Sequence, residues 1–139
     1  MRLIVSLTFF LLTYFSQPQT HNLTIKVTNV KSAKGSIQIG LYNNEEDFPH
    51  KGLEFQKLVL KATAPIFTYT IENLPQGEYA LALYHDINED GKINHNLLGV
   101  PKESYGFSNN IKPFLSAPAF EKVKFFVRSD TTIIITLFH

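Results

Sequence analysis

Apolar residues recur at every second position along most of the chain, and this alternation limits the possible fold more than any other feature of the sequence. Leu23, Ile25 and Val27 alternate with polar residues, which is typical of a strand with one buried and one exposed face. The same pattern recurs over 37–41, 55–60, 67–71, 79–83, 123–127 and 133–137. No window of about a dozen residues shows the spacing of an amphipathic helix. The sequence therefore predicts an all-β protein of about seven strands.

Short strands separated by turn residues favour a single antiparallel β-sandwich, because two sheets allow each alternating strand to bury one face. A small closed barrel is the alternative. Single helical turns are predicted only over 45–48 and 119–122. The corner Pro-Gln-Gly-Glu-Tyr over 75–79 is similar to corners of transthyretin-like and carboxypeptidase-regulatory-like domains. That similarity concerns the fold and implies no activity.

The first sixteen residues have the layout of a secretory signal peptide. Arg2 precedes an uncharged run over 3–15, and polar residues follow from Ser16. Since a membrane-spanning helix needs roughly 20 apolar residues, this run suits a cleaved leader better than an anchor. We predict a signal peptide over 1–16, a domain over 17–139, and a periplasmic or extracellular protein without a transmembrane segment after cleavage.

Charge and cysteine content exclude several classes of function. The chain has 13 Lys+Arg and 12 Asp+Glu, so no basic surface for nucleic acid is expected. Cysteine is absent, which excludes disulfides, thiolate metal sites and a cysteine nucleophile. The 12 Phe and 6 Tyr supply enough apolar side chain for a folded core.

The alternation stops over 86–119, and loops longer than about 15 residues are usually functional or disordered. The apolar residues of this segment predict one long ordered loop. Its first part, Asp-Ile-Asn-Glu-Asp-Gly-Lys-Ile-Asn over 86–94, has oxygen-bearing side chains at relative positions 1, 3, 5 and 9 and glycine at position 6. These offsets match the start of an EF-hand calcium loop.

On this interpretation calcium is held by side-chain oxygens of Asp86, Asn88, Asp90 and Asn94 and by the carbonyl of Lys92. Position 12, where an EF-hand has a bidentate Glu, is Leu97. The absence of this charged ligand slightly favours a plain turn, in which the Asp and Asn side chains cap the backbone.

The second part of the loop, over 99–110, combines glycines and aromatics with small hydroxyls and amides. Such a mixture lines ligand pockets, and it also occurs in self-packed Ω-loops. The candidate ligand-binding residues are His85, Glu103, Tyr105, Phe107, Ser108 and Asn109. Convergence of His85, Asp86, Glu103 and Tyr105 on a single concavity would favour a binding site, whereas scattered side chains would favour a structural function.

Two blocks of this region resemble a known family: His-Asp-Ile-Asn-Glu-Asp-Gly over 85–91 and Pro-Lys-Glu-Ser-Tyr-Gly-Phe-Ser-Asn over 101–109. In combination they resemble the bacterial secreted family catalogued as domain of unknown function 2141. The similarity extends from about Leu23 to Leu137, and Ser104 stands where the family more often has Gly. The family has no assigned activity, so the resemblance implies an exported bacterial domain and leaves its function open.

Three functions are compatible with these residues. The favoured one is a non-catalytic binding module that uses the 86–119 loop, with or without calcium, to hold a small molecule, a glycan or a peptide. The alternative is a structural or protein-interaction domain of the cell envelope that uses a strand edge or sheet face. A hydrolase using His85 is a minor alternative, because His85 and Asp86 are strand neighbours and point to opposite faces.

Overall fold

The computed structural model describes residues 16–139, and over this part the protein is nearly all β, with its strands in two sheets. The strands are β1 (Thr20–Thr28), β2 (Ser36–Tyr42), β3 (Gln56–Lys61), β4 (Phe67–Pro75), β5 (Gly77–Asp86), β6 (Tyr105–Phe107), β7 (Phe125–Val127) and β8 (Thr131–Thr136). The all-β prediction is confirmed. The signal-peptide prediction over 1–16 falls, apart from Ser16, outside the described residues.

One sheet has three strands in the order β4-β1-β8. The other has five: four follow the order β3-β2-β5-β6, and β7 also pairs with β5. All pairs are antiparallel except β1 with β8, which is parallel. The expectation of a purely antiparallel arrangement is therefore wrong at this pair. Alternation indicates which face of a strand is buried and carries no information about direction. A parallel pair needs a long crossover, and here the intervening strands supply it.

Residues of both sheets form one apolar core, as the alternation predicts. The members with the least exposure are Leu23, Ile25, Val27, Ile37, Ile39, Leu41, Leu81, Val127, Ile135 and Leu137. They come from alternate positions, so the intervening residues of the same strands point away from this core.

The 86–119 segment is not the uninterrupted loop that the sequence predicts, because it contains β6 and a 3-10 turn over Ser108–Asn110. The centre of β6 is Gly106, and a Cβ added there would lie 2.6 Å from Ile135 Cγ2. A side chain at this position would collide with the core, so glycine allows β6 to pair with β5. Three residues around a glycine leave too little alternation to be recognised as a strand.

The single helix among residues 16–139 is α1 (Phe120–Val123), close to the turn predicted over 119–122. Val123, predicted to begin a strand, is the last residue of α1, while residues 45–48 form turns without a helix. Phe120 and Val123 are both buried because a spacing of three places them on one side of a helical turn. No helix in this part of the chain is long and apolar enough to cross a membrane.

A second, smaller core lies on the outer face of the five-stranded sheet, and α1 covers it. Its buried members are Tyr42, Phe48, Ala80, Phe120 and Val123. Phe48 makes edge contacts with the rings of Tyr42, Phe107 and Phe120 at centroid distances of 5.3, 6.2 and 6.0 Å. One half of this outer face is thus packed, and the other half is open.

Candidate functional site

The open half of the five-stranded sheet forms the floor of a cleft. Strand register places Gly40 beside Ala82 and Ala82 beside Phe107 in one row across β2, β5 and β6. The next row contains Gln38, Tyr84 and Tyr105. All six side-chain positions face away from the main core, because they alternate with core residues. The two small residues Gly40 and Ala82 leave a depression, and the aromatic residues of both rows surround it.

Two loop segments form the walls of this cleft, which encloses about 660 Å³. The first wall is 93–101 and contributes Ile93, Leu98, Val100 and Pro101; the second is 113–117 and contributes Pro113, Phe114 and Leu115. Leu98, Phe114 and Leu115 are 87%, 86% and 97% exposed. The cleft therefore has apolar walls whose side chains contact little of the rest of the protein. Its volume is in the range of small-molecule sites.

The charged residues of the cleft are few and stand near its floor and rim. Lys51, Glu54 and Lys57 line it together with His95. Burial, and next the carboxylate of Glu54, raise the pKa of Tyr42 to about 12. Burial also raises the pKa of Tyr84 to about 12, assisted by the charges of Asp86, Glu103, Asp90 and Glu54, in that order. Nearby carboxylates thus add to the larger effect of burial on the pKa of both phenols.

The turn over 86–94 is held by its own carboxylates. Asp90 accepts hydrogen bonds from the side-chain amides of Asn88 and Asn94, both at 3.0 Å, and from the Lys92 backbone N–H at 2.9 Å. The contact with Asn94, followed by that with Lys92, lowers the pKa of Asp90 below its ordinary 3.8. These contacts match the capped turn, which the sequence predicts as one of two arrangements, the other being a calcium loop.

Asp86 differs from Asp90 in being fully buried. Its Oδ2 accepts hydrogen bonds from the Gly91 backbone N–H at 2.9 Å and from Gln38 Nε2 at 3.0 Å, while its Oδ1 is buried without a partner. Within residues 16–139, no group of three His, Cys, Asp or Glu side chains is placed to hold a metal ion. The calcium site over 86–94 stays a prediction.

Further contacts connect this turn to the cleft. Glu103 accepts a hydrogen bond from the Asn94 backbone N–H at 3.1 Å, and the ammonium of Lys51 donates to the Gly91 carbonyl. Because Ile93 and Lys51 line the cleft, the turn supports one of its walls. Glu103 is buried beside the wall and is not part of the lining.

Of the six candidate ligand-binding residues, Tyr105 and Phe107 line the cleft. His85 is buried, and its Nε2 lies 2.7 Å from the Lys34 carbonyl. Ser108 is also buried, and its hydroxyl accepts from the Leu81 N–H at 3.0 Å.

Asn109 donates to the carbonyls of Lys122 and Lys124 at 3.2 and 2.9 Å, which fixes the end of α1. His85, Asp86, Glu103 and Tyr105 do not share a single concavity, and this scatter favours the structural alternative over a site built from these four residues. His85 lies on the strand face that carries Leu81 and Leu83 toward the core, whereas Tyr105 faces the cleft.

Comparison with known proteins agrees with the resemblance seen in the loop. The family described as uncharacterized protein conserved in bacteria (DUF2141) matches residues 25–135. The chain belongs to this family. None of the curated proteins and none of the solved structures matches it. Since the family is uncharacterised, membership confirms the resemblance and assigns no activity.

Sequence reasoning found Tyr105 and Phe107 but missed the floor residues of β2 and β5, although a signal for them exists. Over 79–84 the chain reads Tyr-Ala-Leu-Ala-Leu-Tyr, and β2 reads Ser-Ile-Gln-Ile-Gly-Leu-Tyr. Strands that are covered on both faces carry apolar residues at nearly every position. The small and aromatic residues between the core residues of β2 and β5 therefore indicate that the outer face is also covered or used.

Proposed function

We propose that this family member is a non-catalytic binding module that holds a small ligand with an apolar body in the cleft of the five-stranded sheet. One observation carries the proposal: two walls of exposed apolar side chains stand over an aromatic floor, and the space between them is of ligand size. Pockets with this composition are typical of small-molecule sites.

The exposed walls favour a ligand, because each square ångström of apolar surface removed from water contributes roughly 25 cal/mol. Leu98 and Phe114 stand on different walls, and both have most of their surface in water. A ligand seated on Tyr84 and Tyr105 contacts both walls at once. Binding then removes from water the apolar surface that folding leaves exposed. Exposed apolar patches of this kind usually mark interaction or ligand-binding sites.

The contacts of His85 argue against the minor alternative of a hydrolase that uses this residue. Its ring bonds the Lys34 carbonyl, and its backbone N–H bonds the Ser104 carbonyl at 2.8 Å. The Ser104 hydroxyl contacts Nδ1 of His139 instead. A nucleophile and a base must be within hydrogen-bond reach of each other, and His85 has no such serine among the described residues. The minor hydrolase alternative therefore receives no support from this geometry.

The proposal includes the architecture and the compartment. The shared core between a three-stranded and a five-stranded sheet supports a β-sandwich of the transthyretin-like kind, with the cleft on an outer face. The uncharged run over 3–15 supports export by a signal peptide. Mass spectrometry of the exported protein should show a chain beginning near Gln17, and an intact Met1 would contradict this part.

Calcium at the 86–94 turn remains part of the proposal, as a stabiliser of the wall. The supporting observation is Asp86, whose Oδ1 is buried and unpartnered, since such an oxygen is costly to leave without a partner. Two carboxylates without a residue-12 Glu place the site in the weak extracellular class, with dissociation constants of about 10⁻⁴ to 10⁻³ M.

The binding proposal is tested with Nile red, an uncharged dye whose emission rises in apolar surroundings. We expect the intact protein to bind the dye, and Phe114→Ser and Tyr105→Leu each to weaken binding by about threefold or more, since each removes apolar contact. Ile134→Thr is the matched control, because Ile134 is exposed on the other sheet.

The outcomes separate the two functions. Equal dye binding by Phe114→Ser, Ile134→Thr and the unaltered protein would contradict the cleft as a ligand site. The exposed walls would then be better explained by the structural or protein-interaction alternative, in which an envelope protein covers them.

A further inference from the structure

We infer that the cleft selects organic cations: its ligand combines an apolar body with an ammonium group that sits against Glu54 and the tyrosine rings of the floor. This inference rests on the proposed function and adds the chemical class of the ligand.

The position of Glu54 is the first support. Its Cγ lies 3.1 Å from where a Cβ on Gly40 would be, so its side chain passes over the lowest part of the floor. Its Oε2 accepts the Gly52 backbone N–H at 2.8 Å, which fixes the carboxylate. Among residues 16–139, the ion pairs involve Lys124 with Glu78 and Glu121, so Glu54 forms no direct ion pair with a side-chain cation. A fixed, unpaired carboxylate beside an apolar floor attracts a ligand cation.

The aromatic floor is the second support. The rings of Tyr42, Phe48, Phe107 and Tyr105 follow one another at centroid distances of 5.3, 6.2 and 6.3 Å, and three of the four line the cleft, with Tyr84 beside them. The face of an aromatic ring is its negative part. Ammonium groups bind such faces, and several rings together recognise quaternary ammonium ions.

The lysines of the cleft do not reverse this preference. Lys51 keeps its positive charge, but its ammonium is held at the wall by a hydrogen bond to the Gly91 carbonyl. Lys57 pairs in register with Gly40 and is exposed at the edge strand. The carboxylate of Glu54, in contrast, is fixed over the floor by the Gly52 N–H. An anionic ligand relying on Lys57 would place its charge next to Glu54 and against negative ring faces.

The experiment compares three probes with the same eight-carbon chain: octyltrimethylammonium, octan-1-ol and octanoate, each below its micelle-forming concentration. Binding to the intact protein is followed by NMR through the signals of Tyr84 and Tyr105. We expect the ammonium to bind about threefold more tightly than the alcohol, because a partly exposed charge together with a cation–π contact contributes about this much. Octanoate should bind most weakly. Added salt should reduce the difference between ammonium and alcohol.

Glu54→Gln should remove most of the preference for the ammonium while leaving octan-1-ol binding unchanged, because glutamine keeps an oxygen for the Gly52 N–H. Glu72→Gln is the matched control, since Glu72 is exposed on β4 of the other sheet. It should leave all three affinities unchanged.

The failures of the two proposals are distinguishable. If octan-1-ol or octanoate binds as tightly as the ammonium, or if Glu54→Gln keeps the preference, the cation inference is overturned while the cleft stays a ligand site. If none of the three probes shifts Tyr84 or Tyr105, the proposed function itself fails and the inference fails with it.

Discussion

The two outer faces of the molecule differ in chemistry although both belong to sheets that share one core. The outer face of the three-stranded sheet carries hydroxyls in register: Thr24 bonds Thr70 across the strands, and Thr28 bonds Thr136, both at 3.0 Å. The outer face of the five-stranded sheet carries small and aromatic residues, half packed under α1 and half open as the cleft. The first face is complete when solvated, whereas the second exposes apolar surface.

This difference teaches that alternation alone does not identify a functional face. On both sheets the inner positions are apolar, because folding requires it. The outer positions are free of that requirement, so apolar residues there need another explanation. The threonines and the lysine on the outer face of β1 are polar residues that suit contact with water. Gly40, Ala82 and Tyr84 on the outer face of the other sheet are small or aromatic, which suits contact with a covering group.

The largest expected effect is the loss of stability caused by a substitution on the outer face of the five-stranded sheet, compared with one on the outer face of the three-stranded sheet. Phe48→Ala should lower the free energy of unfolding by about 3 kcal/mol, because Phe48 is buried against three rings. Thr70→Ala, on the other face, should change it by about 0.5 kcal/mol or less. Urea denaturation measures both, and Phe48→Leu, which keeps most of the volume, is the control. Similar costs for Phe48→Ala and Thr70→Ala would remove the energetic distinction between the faces.

Much of the fold could be predicted from the sequence, because burial on one face imposes a period of two. The inward residues Ile37, Ile39 and Leu41 are examples, and so is the position of each of the longer strands. What could not be predicted depends on contacts distant in sequence. The parallel pairing of β1 with β8 and the collision that requires glycine at Gly106 both involve the far end of the chain.

The candidate site was predicted less well, for a related reason. The residue types of the loop indicate polar and aromatic chemistry. They do not show which side chains are already engaged in hydrogen bonds to the backbone. Ser108 and Asn109 resemble ligand-binding residues, yet their polar atoms bond the backbone of β5 and α1. Tyr105 was found because it is aromatic, and Glu54 was missed because it lies about thirty residues before the loop.

The next expected effect concerns calcium, whose proposed site lies on the cleft side alone. At about 1 mM calcium and a dissociation constant of about 10⁻⁴ M, mass action adds roughly 1.4 kcal/mol to the folded state. For a domain of this size the melting temperature should rise by about 3–6 °C, as measured by thermal denaturation in chelator and in calcium.

Asp90→Ala should abolish the rise, whereas Asp130→Asn should not. Asp130 is the matched carboxylate of the other sheet, where it accepts a hydrogen bond from the Asn22 backbone N–H at 2.8 Å. Equal melting temperatures in chelator and calcium would establish the plain capped turn.

A smaller effect is expected from closing the depression in the floor. In Gly40→Ala the new Cβ would lie 2.8 Å from Cε2 of Tyr42, so the ring must shift and the floor changes shape. We expect octan-1-ol affinity to fall by about threefold, which is roughly 0.7 kcal/mol. Gly77→Ala is the control in β5, where the nearest heavy atom is 3.6 Å away and no shift is required. A cleft that binds equally well with Ala at position 40 would not use this part of the floor.

The smallest effect concerns the proton on Tyr42. Burial, and next the charge of Glu54, raise its pKa from 10.0 to about 12. The folded state therefore binds this proton more strongly than the unfolded state does. The resulting stability is fully present below pH 10 and is lost as the pH rises through about 12. Glu54→Gln should lower the pKa of Tyr42 toward 10 without reaching it, because burial is the larger cause. The chemical shift of the Tyr42 ring carbon that bears the hydroxyl, followed against pH, measures the change. An unchanged pKa in Glu54→Gln would mean that the Glu54 carboxylate does not act on the floor, and this would also weaken the electrostatic difference between the two faces.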